Sequence, residues 1–194
     1  MKTTRQYTMR ARADATNQTR ERILQATYAA SETKPIAAIV LLDVAELAGV
    51  SVQTILRQFG SRDGLLDATV EYAVAQVDDE RATTPGDPEA ALKVLLDHYE
   101  KRGDAVIRLL CQESWDERVR AITDAGRDLH RRWVSGVFES LIENQGRSDT
   151  SEVIDLLVVA TDVYTWKLLR RDRGLSRAAT QRRMQQLVTS LLKG

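Results

Sequence analysis

The residues with the clearest chemical potential lie between Ser51 and Arg62. Gln53, Thr54, Arg57 and Gln58 follow Ser51 and Val52 on a segment with helical spacing that contains no carboxylate. Glutamine and arginine side chains are suited to paired hydrogen bonds with base edges, adenine and guanine respectively, and a hydroxyl or guanidinium suits a phosphate oxygen. Displayed on one short helix, such a set reads a duplex groove. The plain alternative is a pair of antiparallel helices whose polar face meets only water.

The flanking residues specify how this helix is held. Leu41–Ala48 reads as a short helix stopped by Gly49, Ser51 can cap the helix Val52–Phe59, Gly60 stops it, and Ser61 can cap the next, through Leu65, Leu66, Val70, Ala73 and Val77. Glycine just past a helix end and serine just before the next are the preferred boundary residues. Val44, Ala48, Val50, Ile55 and Phe59 are spaced to share one apolar seam, and Ala45 is small where two helices would cross. A helix pair joined by a tight turn, its second member exposed, is how a helix-turn-helix enters the major groove. Leu56 falls on the same helix, and Arg62 begins the following one with a positive charge suited to a phosphate.

These stretches carry a family resemblance. Ile23-Leu24-Gln25-Ala26, Val44-Ala45-Glu46-Leu47-Ala48-Gly49-Val50-Ser51, Gln53-Thr54-Ile55-Leu56-Arg57-Gln58-Phe59 and Ser61-Arg62-Asp63-Gly64-Leu65 follow in the order and spacing of the TetR family of transcriptional regulators, which residues 20–72 resemble. The resemblance implies a three-helix DNA-binding domain, a helical ligand-binding and dimerisation domain, and repression relieved by a small molecule. The sequence departs from the family pattern at Gln53, where glycine is common, at Leu56, where tyrosine is usual, and at Gln58, where histidine is usual. Leu56 and Gln58 motivate a second reading, a helical ligand-binding dimer without operator binding.

The 194 residues balance 28 Lys+Arg against 28 Asp+Glu, so no basic field over the whole chain supports nucleic-acid binding. The distribution is uneven. Residues 1–64 hold 9 basic and 6 acidic side chains, net +3, and residues 65–194 are net −3. A domain of +3 binds duplex weakly, which argues for two copies. Residues 1–16, with Lys2, Arg5, Arg10 and Arg12 against Asp14, read as a mobile basic arm that either enters a minor groove or is merely solvated. Asn17 or Thr19 is placed to cap the first helix, which Pro35 terminates; Ile36–Val40 is ambiguous between helical and extended.

Only 10 Gly and 3 Pro punctuate the rest, and no stretch alternates with period two, so the fold class is all-α. The expected organisation is an arm over 1–16, a helix-turn-helix domain over 17–64 and a helical ligand-binding and dimerisation domain over 65–194. Beyond the loop Thr83–Pro88, helices are expected over Ala90–Lys101, broken by Gly103 and resumed over Ala105–Cys111, then over Trp115–Glu143, Glu152–Arg171 and Ser176–Lys193.

The helix Glu152–Arg171 carries two apolar stripes. One is Val153, Leu157, Ala160, Tyr164 and Leu168; the other is Leu156, Val159, Val163 and Trp166. One stripe meets the chain's own core, and the second implies a partner or a central position. With Met184, Leu187, Val188 and Leu191 of the last helix, the first stripe suits a two-fold four-helix interface in a homodimer. Tyr99, Cys111, Trp115, Trp133, Phe138 and Tyr164 are candidates to line an effector pocket, each with core packing as the plain alternative. His98 and His130 are polar handles or surface residues.

No phosphate loop or nucleophile turn is present, so no enzyme and no cofactor is expected. A single cysteine, Cys111, and two histidines exclude a disulfide framework and a spacing-defined metal site, and the apolar neighbours of Cys111 suit an inert thiol. The longest apolar run, Ile36–Leu42, is far too short for a membrane helix, and no leader is recognisable, so a cytoplasmic protein without membrane contact is expected. The expected partners are a double-stranded DNA operator, a second copy of the chain and an unidentified small-molecule effector.

Overall fold

The computed structural model describes residues 2–144 and 149–193, with the side chains of 2–9, 11 and 12 outside the described set. The described residues are helical, without strands: α1 (Lys2–Ser31), a 3-10 turn (Ile36–Ala38), α2 (Leu41–Ala48), α3 (Val52–Phe59), α4 (Arg62–Glu80), α5 (Pro88–Leu110), α6 (Glu117–Glu143), α7 (Thr150–Thr161), α8 (Val163–Lys167), a π-helical segment (Leu168–Asp172) and α9 (Arg177–Lys193). Two compact units are present, one ending at Gln76 and the other beginning at Val77. The division falls within α4; the boundary read from sequence at residue 64 lies in that helix's first turn.

In the amino-terminal unit, Ile23, Val44 and Ile55 are fully buried, one from each of α1, α2 and α3, with Leu65 of α4 beside them in the core. The expected start of α1 at Asn17 or Thr19 is corrected. No glycine or proline interrupts Lys2–Ser31, so the helix runs on through the supposed arm. Thr19 lies mid-helix, its hydroxyl donating to the Ala15 carbonyl at 2.8 Å, an interior pattern rather than a cap. The backbone of residues 2–16 is thus helical; Arg10 is exposed, and the side chains of Arg5 and Arg12 lie outside the described residues. After Pro35 the chain makes the 3-10 turn and then extends through Ile39 and Val40.

The carboxy-terminal unit packs α5 to α9 around Leu92, Leu95, Leu96, Phe138, Ile142, Leu157, Trp166 and Met184. Asp87 caps α5 by accepting from Ala90 N at 3.0 Å, and Asp116 caps α6 by accepting from Val119 N at 3.1 Å. Contrary to expectation, Gly103 does not break α5. It lies inside the helix because the Trp166 ring occupies the space of its missing side chain: a Cβ there would stand 2.5 Å from Cζ3 of that ring.

The single expected helix Glu152–Arg171 is also corrected. Asp162 is extended (φ −68°, ψ 153°) and separates α7 from α8, its carboxylate accepting from Tyr164 N at 2.7 Å. The break re-phases the chain. Val153, Leu157 and Ala160 point into the core before it, and Val163 and Trp166 do so after it. Leu156, Val159, Tyr164 and Leu168 are left exposed.

Candidate nucleic-acid interface

Gly49 closes α2 in the left-handed conformation, φ 63°, where a side chain would be strained. Its turn is fixed by Val50 N donating to Ala45 O at 2.9 Å. Ser51 then starts α3: its hydroxyl accepts from Thr54 N at 3.2 Å and lies 3.0 Å from the Thr54 hydroxyl. This cap satisfies a first-turn N–H and fixes the entry angle of α3. Ile55 is buried against the seam with Val44 and Ala48, while Val50 and Phe59 are half-buried at its edge.

What remains outward is a short ridge. Ser51, Gln53 and Arg57 are exposed; Val52, Thr54 and Leu56 are half-buried beside them. Gln53 and Arg57 are one helical turn apart and so share a face. No acid occupies the first turn of α3, and Arg57 stands in its last. Gln58 is half-buried, and its side-chain oxygen is buried without a hydrogen-bond partner.

Arg62 is placed differently from the sequence expectation of a phosphate contact. Its Nε donates to the Ile39 carbonyl at 2.7 Å, and its Nη2 donates to those of Ile36 at 2.7 Å and Ala37 at 3.3 Å. The guanidinium pins the 36–39 segment, which leads into α2, to the start of α4. Sequence reasoning missed a second such residue. Arg20 of α1 stacks on Phe59, its guanidinium carbon 4.4 Å from the ring centroid, and donates to the Gln58 carbonyl. An arginine on a polar helix face gives no sequence signal of either contact. Lys34 and Asp43 pair at 2.5 Å, tying the end of α1 to the first turn of α2.

Residues 23–69, which contain this helix pair, match the family model described as bacterial regulatory proteins, tetR family. Residues 23–69 therefore carry the amino-terminal domain of the tetR family. Solved structures extend the likeness in fold over nearly the whole chain. A putative TetR-family transcriptional regulator from Rhodococcus sp. is 20% identical with a TM-score of 0.67, covering 90% of this chain and 98% of that one. A putative transcriptional regulator from Pseudomonas aeruginosa PAO1 is 17% identical with a TM-score of 0.70, covering 90% of each. A TetR transcription regulator from Haloarcula marismortui is 21% identical with a TM-score of 0.59, covering 91% and 97%. No curated protein sequence matches significantly. TetR-family regulators are DNA-binding transcription factors rather than enzymes. No described helix is long and apolar enough to cross a membrane.

The six candidate pocket residues do not converge. Tyr99 and Phe138 are buried in the core of the carboxy-terminal unit and Trp133 is half-buried. Trp115 is 72% exposed and Tyr164 52%, and Cys111 is exposed, so these three do not line an interior site with the others.

The candidate dimer residues divide in the same way. Val153, Leu157, Ala160, Met184 and Val188 are buried in the unit's own core and so cannot also meet a partner; Leu191 is half-buried. Tyr164, Leu168 and Leu187 are outward, joined by Leu156 and Val159 from the stripe not assigned to the partner.

The two histidines lie inside this unit, in a polar cluster. Glu80 accepts from Arg102 at 2.6 and 2.7 Å and from Lys101 at 2.5 Å, and it lies 2.9 Å from His98 Nδ1. Burial alone would raise its carboxyl, but these donors outweigh burial and hold it at about 2. Burial, then the charge of Arg81, lowers His98 to about 4 and His130 to about 3. Both imidazoles are therefore neutral near pH 7. Burial also raises the Tyr99 hydroxyl, which donates to the Thr161 carbonyl at 3.0 Å.

Proposed function

We propose that this chain is a homodimeric repressor in the cytoplasm. In this reading it grips a palindromic operator through α3 and is released by a small-molecule effector bound in its helical unit. The observation that carries the proposal is the outward ridge of α3. It is held by a capped turn and a buried seam, presents Gln53 and Arg57 one turn apart, and carries no carboxylate to repel phosphate. Gln53 and Arg57 are assigned to base edges, with Ser51, Val52, Thr54, Leu56 and Gln58 completing the contact surface. Arg62 supports this surface from behind. A dimer is supported by the exposed apolar band of Leu156, Val159, Tyr164, Leu168 and Leu187, which is unusual on a water-facing surface. Effector release requires that ligand bind the released state more tightly than the operator-bound one.

The test is selection of bound duplexes from random DNA by the full-length protein at low salt. An enriched inverted repeat, with half-sites about one helical turn apart, is the expected result. The absence of any enriched duplex overturns the proposal.

A further inference from the structure

Arg81, the residue after α4, is only 9% exposed. A guanidinium taken out of water normally carries a carboxylate with it, because an unpaired buried charge is costly. Arg81 makes no ion pair with a carboxylate among the described residues. Its Nη1 lies 3.3 Å from His130 Nδ1, its guanidinium carbon lies 5.3 Å from the Tyr99 ring centroid, and its Nε has no partner. Two residues on, the buried hydroxyl of Thr83 also lacks one.

Neither nearby acid pairs with it directly. Glu80 is taken up by Arg102, Lys101 and His98. Asp162 caps α8 by accepting from Tyr164 N and acts on Arg81 only through space, without an ion pair. His130 supplies no charge. Because the guanidinium can only donate, Nδ1 must accept, so Nε2 bears the proton and donates to the Thr161 hydroxyl at 3.1 Å; that hydroxyl donates on to the Leu157 carbonyl at 2.7 Å. The relay is complete without Arg81 Nε, which is left as a buried, charged donor with no acceptor. The guanidinium lies over the Tyr99 ring, and Trp133 stacks on His130 with centroids 6.0 Å apart while its Nε1 donates to the Arg81 carbonyl at 2.9 Å.

We propose that Arg81 anchors an anionic effector: a small organic monocarboxylate whose carboxylate pairs with the guanidinium and whose apolar body lies against Tyr99 and Trp133. A lone cation with no carboxylate in ion-pair contact, and with Asp162 already acting on it from a distance, suits one further negative charge, which favours a carboxylate over a phosphate dianion. This rests on the reading that the helical unit takes a small-molecule effector.

The experiment uses the protein over all 194 residues in calorimetric titration and thermal unfolding, with benzoate, octanoate, their neutral amides and inorganic phosphate as probes. At least one carboxylate is expected to bind and raise the unfolding midpoint while its amide does not. Arg81→Met, which replaces a buried charge by an apolar group of similar length, is expected to stay folded and to weaken carboxylate binding about tenfold or more. Arg81→Lys keeps the charge without the fork and should fall between. The inference is overturned if no carboxylate binds, if amides bind equally, if phosphate alone binds, or if Arg81→Met binds as the parent does. DNA release is read separately. Arg81-dependent carboxylate binding that leaves operator affinity unchanged sustains the anion site and removes effector release from the proposed function.

Discussion

Replacing Arg62 by methionine separates two roles that an arginine at the edge of a reading surface can play. In the structure it donates to three main-chain carbonyls, two of them at 2.7 Å. A hydrogen bond from a charged donor contributes about 1.5–3 kcal/mol when shielded, and less when water competes. The Arg62 side chain is 35% exposed, so each short bond belongs at the low end, and the weaker third adds little. The expected loss is about 2–3 kcal/mol, a fall in the unfolding midpoint of roughly 5–10 °C for a chain of this size. Thermal unfolding by circular dichroism measures this directly. Binding to the selected operator is then titrated at several salt concentrations. A supporting residue leaves the salt dependence unchanged, whereas a lost phosphate contact lowers the slope by about one. Unchanged stability together with a reduced slope would refute the anchoring argument and return Arg62 to the DNA surface.

Other perturbations test the remaining parts. Arg57→Ala should weaken operator binding by about 1–3 kcal/mol and relax selectivity at one base pair; unaltered selectivity in repeated selections would remove it from base reading. Gly103→Ala should destabilise the protein despite a gain of about 1 kcal/mol in helix propensity, because crowding the Trp166 ring costs about 1–3 kcal/mol; a raised unfolding midpoint would contradict the packing. Val159→Lys places a charge in the exposed apolar band and should yield a folded monomer by light scattering, whereas an intact dimer would put the partner surface elsewhere. Acid should destabilise the protein through the histidines first. His98 and His130 stay neutral in the folded state down to about 4 and 3, whereas the unfolded chain protonates near 6.5. Stability is thus complete above that pH and falls below it, by about 2 kcal/mol per imidazole at pH 5. Glu80 withdraws its contribution only between about 4.5 and 2. Urea midpoints that stay level from pH 7 to 5 would contradict this.

The reading helix was legible because its determinants are local. Gly49, Ser51 and Gly60 act within one turn of where they stand, and the seam from Val44 to Phe59 follows helical spacing. Features set by distant residues were not. Gly103 looks like a helix breaker until Trp166, sixty-three positions on, is placed over it. Asp162 looks like one more polar residue in a helix, because the extended conformation that splits α7 from α8 carries no proline or glycine. That split decided which apolar stripe met the core, and without it the buried Val153, Leu157 and Ala160 were indistinguishable from a partner face. Arg62 and Arg81 likewise declare a positive charge in sequence, and only the carbonyls and imidazole around them distinguish a brace from an unpaired cation.

The extended residue at Asp162 makes this part of the chain sensitive to length as well as to composition. Removing one residue here would rotate everything downstream by about 100° around the helix axis. The indole of Trp166 would swing toward water and the phenol of Tyr164 toward the interior, although every side chain had been kept. A chain with one residue more or fewer at this point would have to reorganise both its interior and its outer apolar band.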